Sequence, residues 1–265
     1  MSATTLDAAP AVDTGRAADA GTGRGERLRL FVEPLLVLAT VAVVLTWAAS
    51  GDLDDIERRN INVTTIATLT WEHVQITFMV AAIVVLVAVP LGVVLTRRWA
   101  RPAVPLVLGL ANMGQAAPGI GLLVLFFLFT GWTGFWVAVL PTALYALLPV
   151  LRNTMVGLQQ VDPALIQAGR GIGMSSTTVL RRIELPLAVP YVLSGLRTAL
   201  VLAVGMATLA VFVDGGGLGE LIDTGYKLRR TAVLVVGAVL AAALALLVDW
   251  LGGLAERLLE PRGLR

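Results

Sequence analysis

The chain has 265 residues, of which 57% are hydrophobic and only 14% charged, whereas a soluble domain carries about a quarter charged residues. This composition predicts an integral membrane protein. Cysteine is absent, which excludes disulfides, thiolate nucleophiles and thiolate metal sites, and a net charge of +2 is too small to indicate a nucleic-acid partner.

The N-terminal segment, residues 1–28, is rich in alanine, glycine, threonine and aspartate and has no helical periodicity. We expect it to form a disordered tail. It lacks the basic start of a signal peptide, and the apolar run at residues 31–49 is too long for the core of one. Residues 29–72 are therefore predicted to form a first transmembrane helix and an external loop.

Six stretches are apolar enough to cross the roughly 30 Å of a bilayer core, which takes about 20 residues of helix. They are residues 31–49, 75–96, 104–130, 133–151, 190–213 and 231–251. The third stretch contains Pro118, which predicts a break in its helix between Gly114 and Gly119. The chain is therefore predicted to be an all-α, polytopic membrane protein with about six transmembrane helices.

The arginines predict the orientation of these helices, because cytoplasmic loops are enriched in basic residues. With the N-terminus inside the cell, most arginines fall in the two tails, in residues 97–101 and in the central loop, residues 152–186. Both termini and the central loop are therefore expected on the cytoplasmic side of the plasma membrane. The basic cluster at residues 227–230 runs against this rule. Arg197 lies within the fifth stretch, where a charge costs about 2.5–3.5 kcal/mol unless it pairs or reaches the interface.

The central loop is a long polar interruption between apolar stretches. Asp162 is suited to cap a helix whose first position is Pro163. One face of that short helix is predicted to carry the apolar residues Leu165, Ala168 and Ile172.

Two glycines, Gly171 and Gly173, are expected to end the short helix at an elbow. Ser175 or Ser176 then caps a second helix, which is predicted to end at Ile183, before a Leu-Pro pair. Two short amphipathic helices joined in this way form a compact surface that another protein can bind. From these residues alone, an amphipathic linker lying on the membrane is the alternative.

Several chemistries are excluded by residues that occur only once. The single lysine, Lys227, is not part of a Gly-Lys-Ser/Thr phosphate-binding loop. The single histidine, His73, excludes the common metal centres that need several histidines, and we interpret it as a residue at the membrane interface. No carboxylate lies in the middle of a predicted span, whereas ion-coupled transporters usually need one. The energy for any transport is therefore expected to come from another subunit.

Two further groups of residues are candidates for a passage and an outer loop. Asn112 and Gln115, beside the predicted break, would either line a passage or form hydrogen bonds between helices. The glycine run at residues 215–219 does not have the Gly-x-Gly-x-x-Gly spacing of a phosphate-binding turn. We interpret it as a flexible turn outside the membrane.

The spacing within the central loop resembles the cytoplasmic signature of ABC-importer permeases. That family has Glu-Ala-Ala, three residues, Gly, nine residues and Ile-x-Leu-Pro. The chain matches this spacing at Gln167, Ala168, Gly169, Gly173, Ile183, Leu185 and Pro186. Gln167 stands where the family usually has glutamate, so it cannot form an ion pair with an ATPase, and Gly169 replaces the second alanine. Residues 112–122 and 205–222 are similar, within this family, to permeases for osmoprotectant quaternary amines such as glycine betaine, carnitine and choline.

The resemblance implies a type I ABC importer permease fold, with a permease core at residues 73–256 and a cytoplasmic C-terminal tail at residues 257–265. It implies three protein partners: an ABC ATPase, a second permease chain that is identical or homologous to this one, and an extracytoplasmic substrate-binding protein. The lipid bilayer would surround the permease chains. ATP and magnesium would bind the ATPase, and this chain would hold no cofactor or metal and catalyse no reaction. The implied function is ATP-driven import of a small osmoprotectant delivered by the binding protein.

The resemblance also implies roles for three sets of residues. The ATPase-coupling loop would use Asp162, Pro163, Gln167, Ala168, Gly169, Arg170, Gly173, Ile183, Leu185 and Pro186. The translocation path would include Asn112, Gln115, Pro118 and Thr208. The external loop facing the binding protein would include Gly215, Gly216, Gly217 and Gly219.

Two kinds of alternative stay open. Within the ABC class, the substrate would be methionine, another amino acid or a sulfur-containing betaine. Outside it, the chain would be an ion-coupled transporter or channel, or a membrane scaffold. The lack of intramembrane charge relays and of an obvious inverted repeat disfavours an ion-coupled transporter.

Overall fold

The computed structural model describes the chain from residue 22 to residue 259, with side chains from Phe31 onward. Within these residues every regular element is helical. The α-helices are α1 (Thr22–Ala49), α2 (Asp55–Asn60), α3 (Val63–Leu95), α4 (Val104–Ala116), α5 (Gly119–Thr130), α6 (Phe135–Gln159), α7 (Pro163–Gly171), α8 (Ser176–Val179), α9 (Leu185–Ala207), α10 (Gly219–Lys227) and α11 (Thr231–Leu259). The short helices of other types are the 3-10 helices Arg98–Ala103 and Ala210–Val213 and the π-helical turn Leu180–Glu184.

Five helices in the described residues are long and apolar enough to cross a bilayer, or six when α4 and α5 count as one broken span. The five are Phe31–Ala49, Val63–Leu95, Phe135–Gln159, Ser176–Ala207 and Thr231–Leu259. The broken span bends by 103° at the predicted position, next to Pro118. The prediction of an all-α, polytopic membrane protein with about six spans is confirmed.

Most of these helices extend beyond the apolar stretches that predicted them. α3 begins at Val63 rather than near residue 75, because the side chain of Asn62 caps it by accepting a hydrogen bond from the N–H of Thr65 (2.9 Å). At its C-terminal end, α6 continues to Gln159, so its last two turns occupy the start of the predicted central loop. Hydropathy marks the part of a helix that suits hydrocarbon, and polar turns at the ends escape it.

The N-terminal boundary also differs from the prediction. Helix α1 begins at Thr22, within the predicted disordered tail of residues 1–28, because the helix-favouring run at residues 26–29 is continuous with the apolar span. The remainder of that predicted tail, residues 1–21, lies outside the described residues. In its apolar part α1 is mostly exposed and packs chiefly on α11, so it is peripheral to the helix bundle.

The centre of the bundle is α6, which packs against α3, α4, α5 and α9. Small residues let these helices approach closely. A Cβ at Gly92 of α3 would lie 2.7 Å from a methyl of Thr154 in α6, and one at Gly195 of α9 would lie 2.8 Å from the carbonyl oxygen of Pro149. Such backbone proximity is the usual means of packing helices in a membrane, where hydrophobic burial gives little driving force.

A second, smaller apolar cluster joins α3, α10 and α11 at the other end of the bundle from the central loop. Leu218 and Leu221 are fully buried there against Val233 of α11. A Cβ at Gly237 would lie 2.7 Å from the Cβ of Leu221, so α10 and α11 are in close contact. This cluster fixes the position of the glycine-rich segment that precedes α10.

Candidate functional site

The central loop folds as the sequence predicts at the start of α7. The Asp162 carboxylate accepts a hydrogen bond from the N–H of Ala164 (2.8 Å), and Pro163 occupies the first turn. The cap satisfies one of the free N–H groups that a helix start leaves. The predicted helix N-terminus is confirmed.

The elbow after α7 is a Schellman motif centred on Gly173. The N–H of Met174 bonds to the carbonyl of Gly169 (3.0 Å), and the N–H of Gly173 bonds to the carbonyl of Arg170 (3.0 Å). Gly173 has φ +88°, and no atom lies within 4 Å of the position that its Cβ would take. The predicted elbow is confirmed, and glycine is needed there for its backbone conformation rather than for space.

Helix α7 packs back on α8 and the π-helical turn through Gly169. This residue is buried, and a Cβ on it would lie 2.8 Å from Cδ1 of Ile183 and 3.5 Å from Cγ2 of Val179. Ile183 is the isoleucine of the Ile-x-Leu-Pro motif. The two ends of the signature therefore meet in space, and the glycine that replaces the family's second alanine permits the close contact.

The second helix of the loop differs from the prediction. Ser175 caps it, as expected, by accepting a hydrogen bond from the N–H of Thr178 (3.3 Å). The helix does not end at Ile183, because the π-helical turn carries it into α9, with the N–H of Leu185 bonded to the carbonyl of Leu180. A proline in an ordinary helix clashes with the carbonyl four residues earlier, and the wider turn before Pro186 relieves this clash. The second helix of the loop and the fifth span are thus one continuous rod, Ser176–Ala207.

The apolar stripe of α7 faces away from the rest of the chain. Leu165 is 47% exposed and Ile172 is 77% exposed, and Ala168 between them is also exposed, whereas Gly169, one turn after Leu165 at the edge of the stripe, is buried. Gln167 and Arg170 are exposed as well. A rigid, capped helix that presents apolar side chains outward is suited to bind another protein.

A buried ion pair joins the central loop to the connection after α3. The Arg97 guanidinium donates to both carboxylate oxygens of Glu184, at 2.6 and 3.4 Å, and Glu184 is 5% exposed. Sequence reasoning missed this pair. A signal was present in the sequence. Glu184 occupies the variable position of the Ile-x-Leu-Pro motif, and it is the one carboxylate between Arg170 and Pro186, a segment that also contains Arg181 and Arg182.

The predicted path residues lie on two separate helices beside the break. Asn112 of α4 is exposed, and its side-chain oxygen accepts a hydrogen bond from Arg152 of α6 (2.9 Å). Gln115, one turn further along α4, is half-buried, and Pro118 is exposed at the break itself. Asn112 was predicted either to form a hydrogen bond between helices or to line a passage. The structure shows the hydrogen bond, and the exposed part of the residue leaves the second interpretation open.

Thr208 lies where three segments meet. Its hydroxyl donates to the carbonyl of Gly205 (2.7 Å), and its own carbonyl lies directly against Gly219. Gly119, just after the break in the third span, packs on Met206, which precedes Thr208 by two residues. The break in the third span and the end of α9 therefore lie side by side, which brings Pro118 and Thr208 into the same region.

The glycine run was predicted to be a flexible turn outside the membrane, and the structure shows that it is closely packed rather than loose. Gly216 and Gly217 have φ of +77° and +91°, and the Glu72 carboxylate accepts a hydrogen bond from the N–H of Gly217 (3.0 Å). Gly217 and Gly219 are buried, and Gly215 is half-buried. The turn is closely packed because α3 holds its backbone. Its exposed side chains are the acidic residues that flank the four glycines, Asp214 and Glu220.

His73, which was interpreted as a residue at the membrane interface, is fully buried within the protein and holds three segments together. Its Nδ1 accepts a hydrogen bond from the N–H of Leu218 (3.2 Å), and its Nε2 lies 3.0 Å from the carbonyl oxygen of Val204. Because Nδ1 must accept, Nε2 carries the hydrogen and donates to that carbonyl. The side chain thus links α3, α9 and the glycine-rich turn in its neutral form.

Arg197 pairs within the bundle. Its guanidinium donates twice to the Asp249 carboxylate of α11, both at 2.6 Å, and lies 3.5 Å from Glu256. Gly252 and Gly253 make room for the arginine, since a Cβ on either would lie within 3.1 Å of it. The expectation that this charge pairs or reaches the interface is confirmed by pairing.

The chain matches a known protein family over most of its length. A family model described as "Binding-protein-dependent transport system inner membrane component" matches residues 88–262. The chain is 39% identical over 196 residues to the choline transport system permease protein OpuBB of Bacillus subtilis, with 74% of this chain and 89% of that protein covered. It is 36% identical to the osmoprotectant import permease protein OsmW of Salmonella typhimurium, covering 76% of this chain and 94% of that protein.

Solved structures show the same architecture. The inward-facing MetNI methionine ABC transporter aligns with a TM-score of 0.65 and 25% identity, over 74% of this chain and 96% of that one. An amino acid ABC transporter solved with histidines aligns with a TM-score of 0.63 over 77% and 99%; at 18% identity this likeness shows the fold alone. The predicted ABC importer permease fold is confirmed.

Proposed function

Because the chain belongs to the family of binding-protein-dependent transport system inner membrane components, we propose that it forms the membrane path of an ATP-driven importer for a small osmoprotectant. Membership makes the chain a multi-pass membrane protein and a transport subunit rather than an enzyme. The ATPase, a second permease chain and a substrate-binding protein are the proposed partners. ATP and magnesium belong to the ATPase in this assignment.

The observation that carries the proposal is the outward-facing apolar stripe on α7. Leu165 and Ile172 are exposed on a helix that a cap and a Schellman motif hold rigid. Helix α7 packs on α8, and α8 continues into the membrane as one rod, Ser176–Ala207. A movement imposed on α7 by a closing ATPase pair would reach the membrane through this rod without a flexible joint.

The remaining coupling-loop residues have two different proposed roles. Gln167, Ala168 and Arg170 are exposed and would contact the ATPase, together with Asp162 and Pro163 at the helix start. The other members would shape the loop from within the chain, namely Gly169, Gly173, Ile183, Leu185 and Pro186. The uncharged Gln167 would contact the ATPase through hydrogen bonds rather than an ion pair. The arginine distribution supports a cytoplasmic position for this loop and for both termini.

The path is proposed to run beside α4, between this chain and a second permease chain. Asn112 and Arg152 are exposed, and both lie in predicted membrane-spanning stretches or at their ends. Polar groups at membrane depth are costly unless they face protein or water, so this face favours an aqueous path over lipid. Gln115, Pro118 and Thr208 extend the same region toward the break in the third span.

The outer surface is proposed to receive the binding protein next to Asp214 and Glu220. These acidic residues are the exposed part of the turn, whereas Gly215, Gly216, Gly217 and Gly219 would act by holding its shape. Although its side chain reaches the surface, partial burial of the Glu220 carboxyl raises its pKa, and the nearby charges of Glu72 and Asp214 add to this effect. The substrate class rests on the two named relatives, whose names give choline and osmoprotectants as the transported solutes and whose identity to this chain exceeds that of the methionine transporter.

The decisive experiment replaces Leu165 and Ile172 together by serine and measures recruitment of the cognate ATPase from detergent. Both side chains are exposed, so we expect unchanged thermal stability and loss of most ATPase recruitment and substrate uptake. The matched control replaces Leu228 and Tyr226 by serine. Their exposures of 47% and 76% equal those of the test pair within one percentage point, but they lie at the opposite end of the molecule.

Two results would count against the proposal. Equal ATPase recruitment by the test variant and the wild type would remove α7 as the coupling surface. Equal loss in the control variant would show that removing exposed apolar side chains disturbs the fold in general.

Uptake of labelled choline, carnitine and glycine betaine by cells carrying the whole system, compared with labelled methionine, tests the substrate class. Uptake of methionine alone would overturn it.

A further inference from the structure

A basic cavity lies between α7 and the connection that follows α3. Its volume is about 640 Å³, and its charged lining consists of Arg97, Arg98, Arg101, Arg170 and Glu184. The apolar stripe of the proposed ATPase surface, Leu165 and Ile172, is not part of its lining, although Pro163 and Arg170 of that surface border it. The arginines on the other side of the cavity, Arg97, Arg98 and Arg101, have no role in the proposed function.

The charges of this cavity are strongly unbalanced. Glu184 pairs with Arg97 through two hydrogen bonds, so the charges of these two residues cancel. Arg98, Arg101 and Arg170 form no ion pair with any carboxylate in the described part of the chain. Three guanidinium groups from two separate segments thus converge on one cavity without a counter-charge. Guanidinium groups bind phosphate oxygens with paired hydrogen bonds, so the arrangement selects a phosphate-bearing anion.

The position of the cavity indicates where that phosphate comes from. Arg98 and Arg101 belong to the 3-10 helix Arg98–Ala103, which follows directly on the end of the membrane-spanning helix α3. Trp99, between them, is 76% exposed. Exposed tryptophan next to the end of a span is typical of the headgroup layer of a bilayer. This residue therefore favours a position of the cavity mouth near the lipid phosphates.

We propose that this cavity binds the phosphate headgroup of an anionic phospholipid, held by Arg98 and Arg101 from one side and by Arg170 from the other. A bound headgroup would connect α7 to the end of α3 through charge, next to the direct ion pair between Arg97 and Glu184. Lipid composition would then affect how firmly the coupling helix is held. Basic pockets between membrane helices are suited to such headgroups.

Native mass spectrometry of the full chain in detergent tests this inference. The probes are dioctanoyl phosphatidylglycerol, dioctanoyl phosphatidylcholine and inorganic phosphate. We expect the wild type to bind the anionic lipid about tenfold or more tighter than the zwitterionic one. The variant Arg98→Gln/Arg101→Gln is expected to lose this preference, and Arg98→Lys/Arg101→Lys to retain most of it.

The matched control is Arg181→Gln/Arg182→Gln, which removes the same charge from exposed residues of the same loop that do not line the cavity. It is expected to keep the lipid preference. Equal loss in this control would show a general charge effect, and an unchanged preference in Arg98→Gln/Arg101→Gln would show that the cavity is not the site. Either result overturns the inference.

Two further outcomes would assign a different ligand to the cavity. Displacement of the anionic lipid by millimolar inorganic phosphate would identify a free-phosphate site. Loss of ATPase recruitment by Arg98→Gln/Arg101→Gln with an intact lipid preference would identify a protein contact. Because the lipid measurement uses no ATPase, its failure is separate from a failure of the proposed coupling surface.

Discussion

Replacing Arg197 by alanine tests whether the charge cluster between α9 and α11 holds these two helices together. Asp249 accepts two hydrogen bonds from the guanidinium at 2.6 Å, and Glu256 lies 3.5 Å from it. Alanine at position 197 removes the cation that these two carboxylates, on one helix, share. Asparagine at position 249 leaves Arg197 with Glu256 as its counter-charge.

The expected magnitudes follow from the burial of the pair. Removing one partner of a fully buried ion pair costs about 3–5 kcal/mol. The side chains of Arg197 and Asp249 are 37% and 31% exposed, so we expect the reduced figure of about 2 kcal/mol for Arg197→Ala. For Asp249→Asn we expect about 1 kcal/mol, because one hydrogen bond and the contact with Glu256 remain. Replacing both residues, as Arg197→Met/Asp249→Leu, is expected to cost less than Arg197→Ala, since apolar pairs often substitute for buried ion pairs.

Unfolding of the full chain in mixed micelles by sodium dodecyl sulfate, followed by circular dichroism, gives the three free energies. The prediction concerns their order as well as their size. If Asp249→Asn is as costly as Arg197→Ala, Glu256 does not act as the second acceptor. If the double replacement costs as much as Arg197→Ala or more, Asp249 is not the group that Arg197→Ala leaves unpaired, and the assignment of a helix-joining pair is wrong.

The remaining predictions concern the glycine-rich turn and its acidic flank. Gly219→Ala is expected to lower the stability by about 1–3 kcal/mol, because its Cβ would overlap the backbone carbonyl of Thr208, whereas Gly109→Ala, with no neighbour within 4 Å, should be neutral or stabilising in the same assay. Glu220→Gln is expected to raise the midpoint of thermal unfolding at pH 7, since the folded protein raises the pKa of this carboxyl above its ordinary value of 4.5. The charged carboxylate therefore costs stability above its raised pKa, and the difference between variant and wild type should vanish below the ordinary one. A difference that grows on acidification would contradict the assignment.

Residues whose role depends on near neighbours in the chain were predicted well. The Asp162 cap, the positive φ of Gly173 and the break at Pro118 all follow from local backbone chemistry, which needs no knowledge of the rest of the fold. The spans were also predictable in number, because a helix in hydrocarbon must be apolar along most of its length. Their ends were not, because polar end turns carry no hydropathy signal.

The same local rules failed at two places in the chain. The proline at position 186 predicted the end of a helix, but a π-helical turn absorbs it, and the rod continues into the membrane. The glycines at 215–219 predicted a flexible turn, but Glu72 and His73 hold its backbone from α3. Local propensity describes what a segment allows, whereas packing against a distant helix selects among the allowed forms.

The amino-acid sequence by itself therefore determined the membrane class, the number of spans and the coupling signature, since each depends on composition or on short spacing. Only the tertiary structure decided which charged and polar groups meet. Arg97 and Glu184 are 87 positions apart, Arg197 and Asp249 are 52 apart, and His73 and Leu218 are 145 apart. Each pairing depends on which helix faces lie together in the bundle. That arrangement is set by the close contacts of small residues across helices, which no single stretch of sequence specifies.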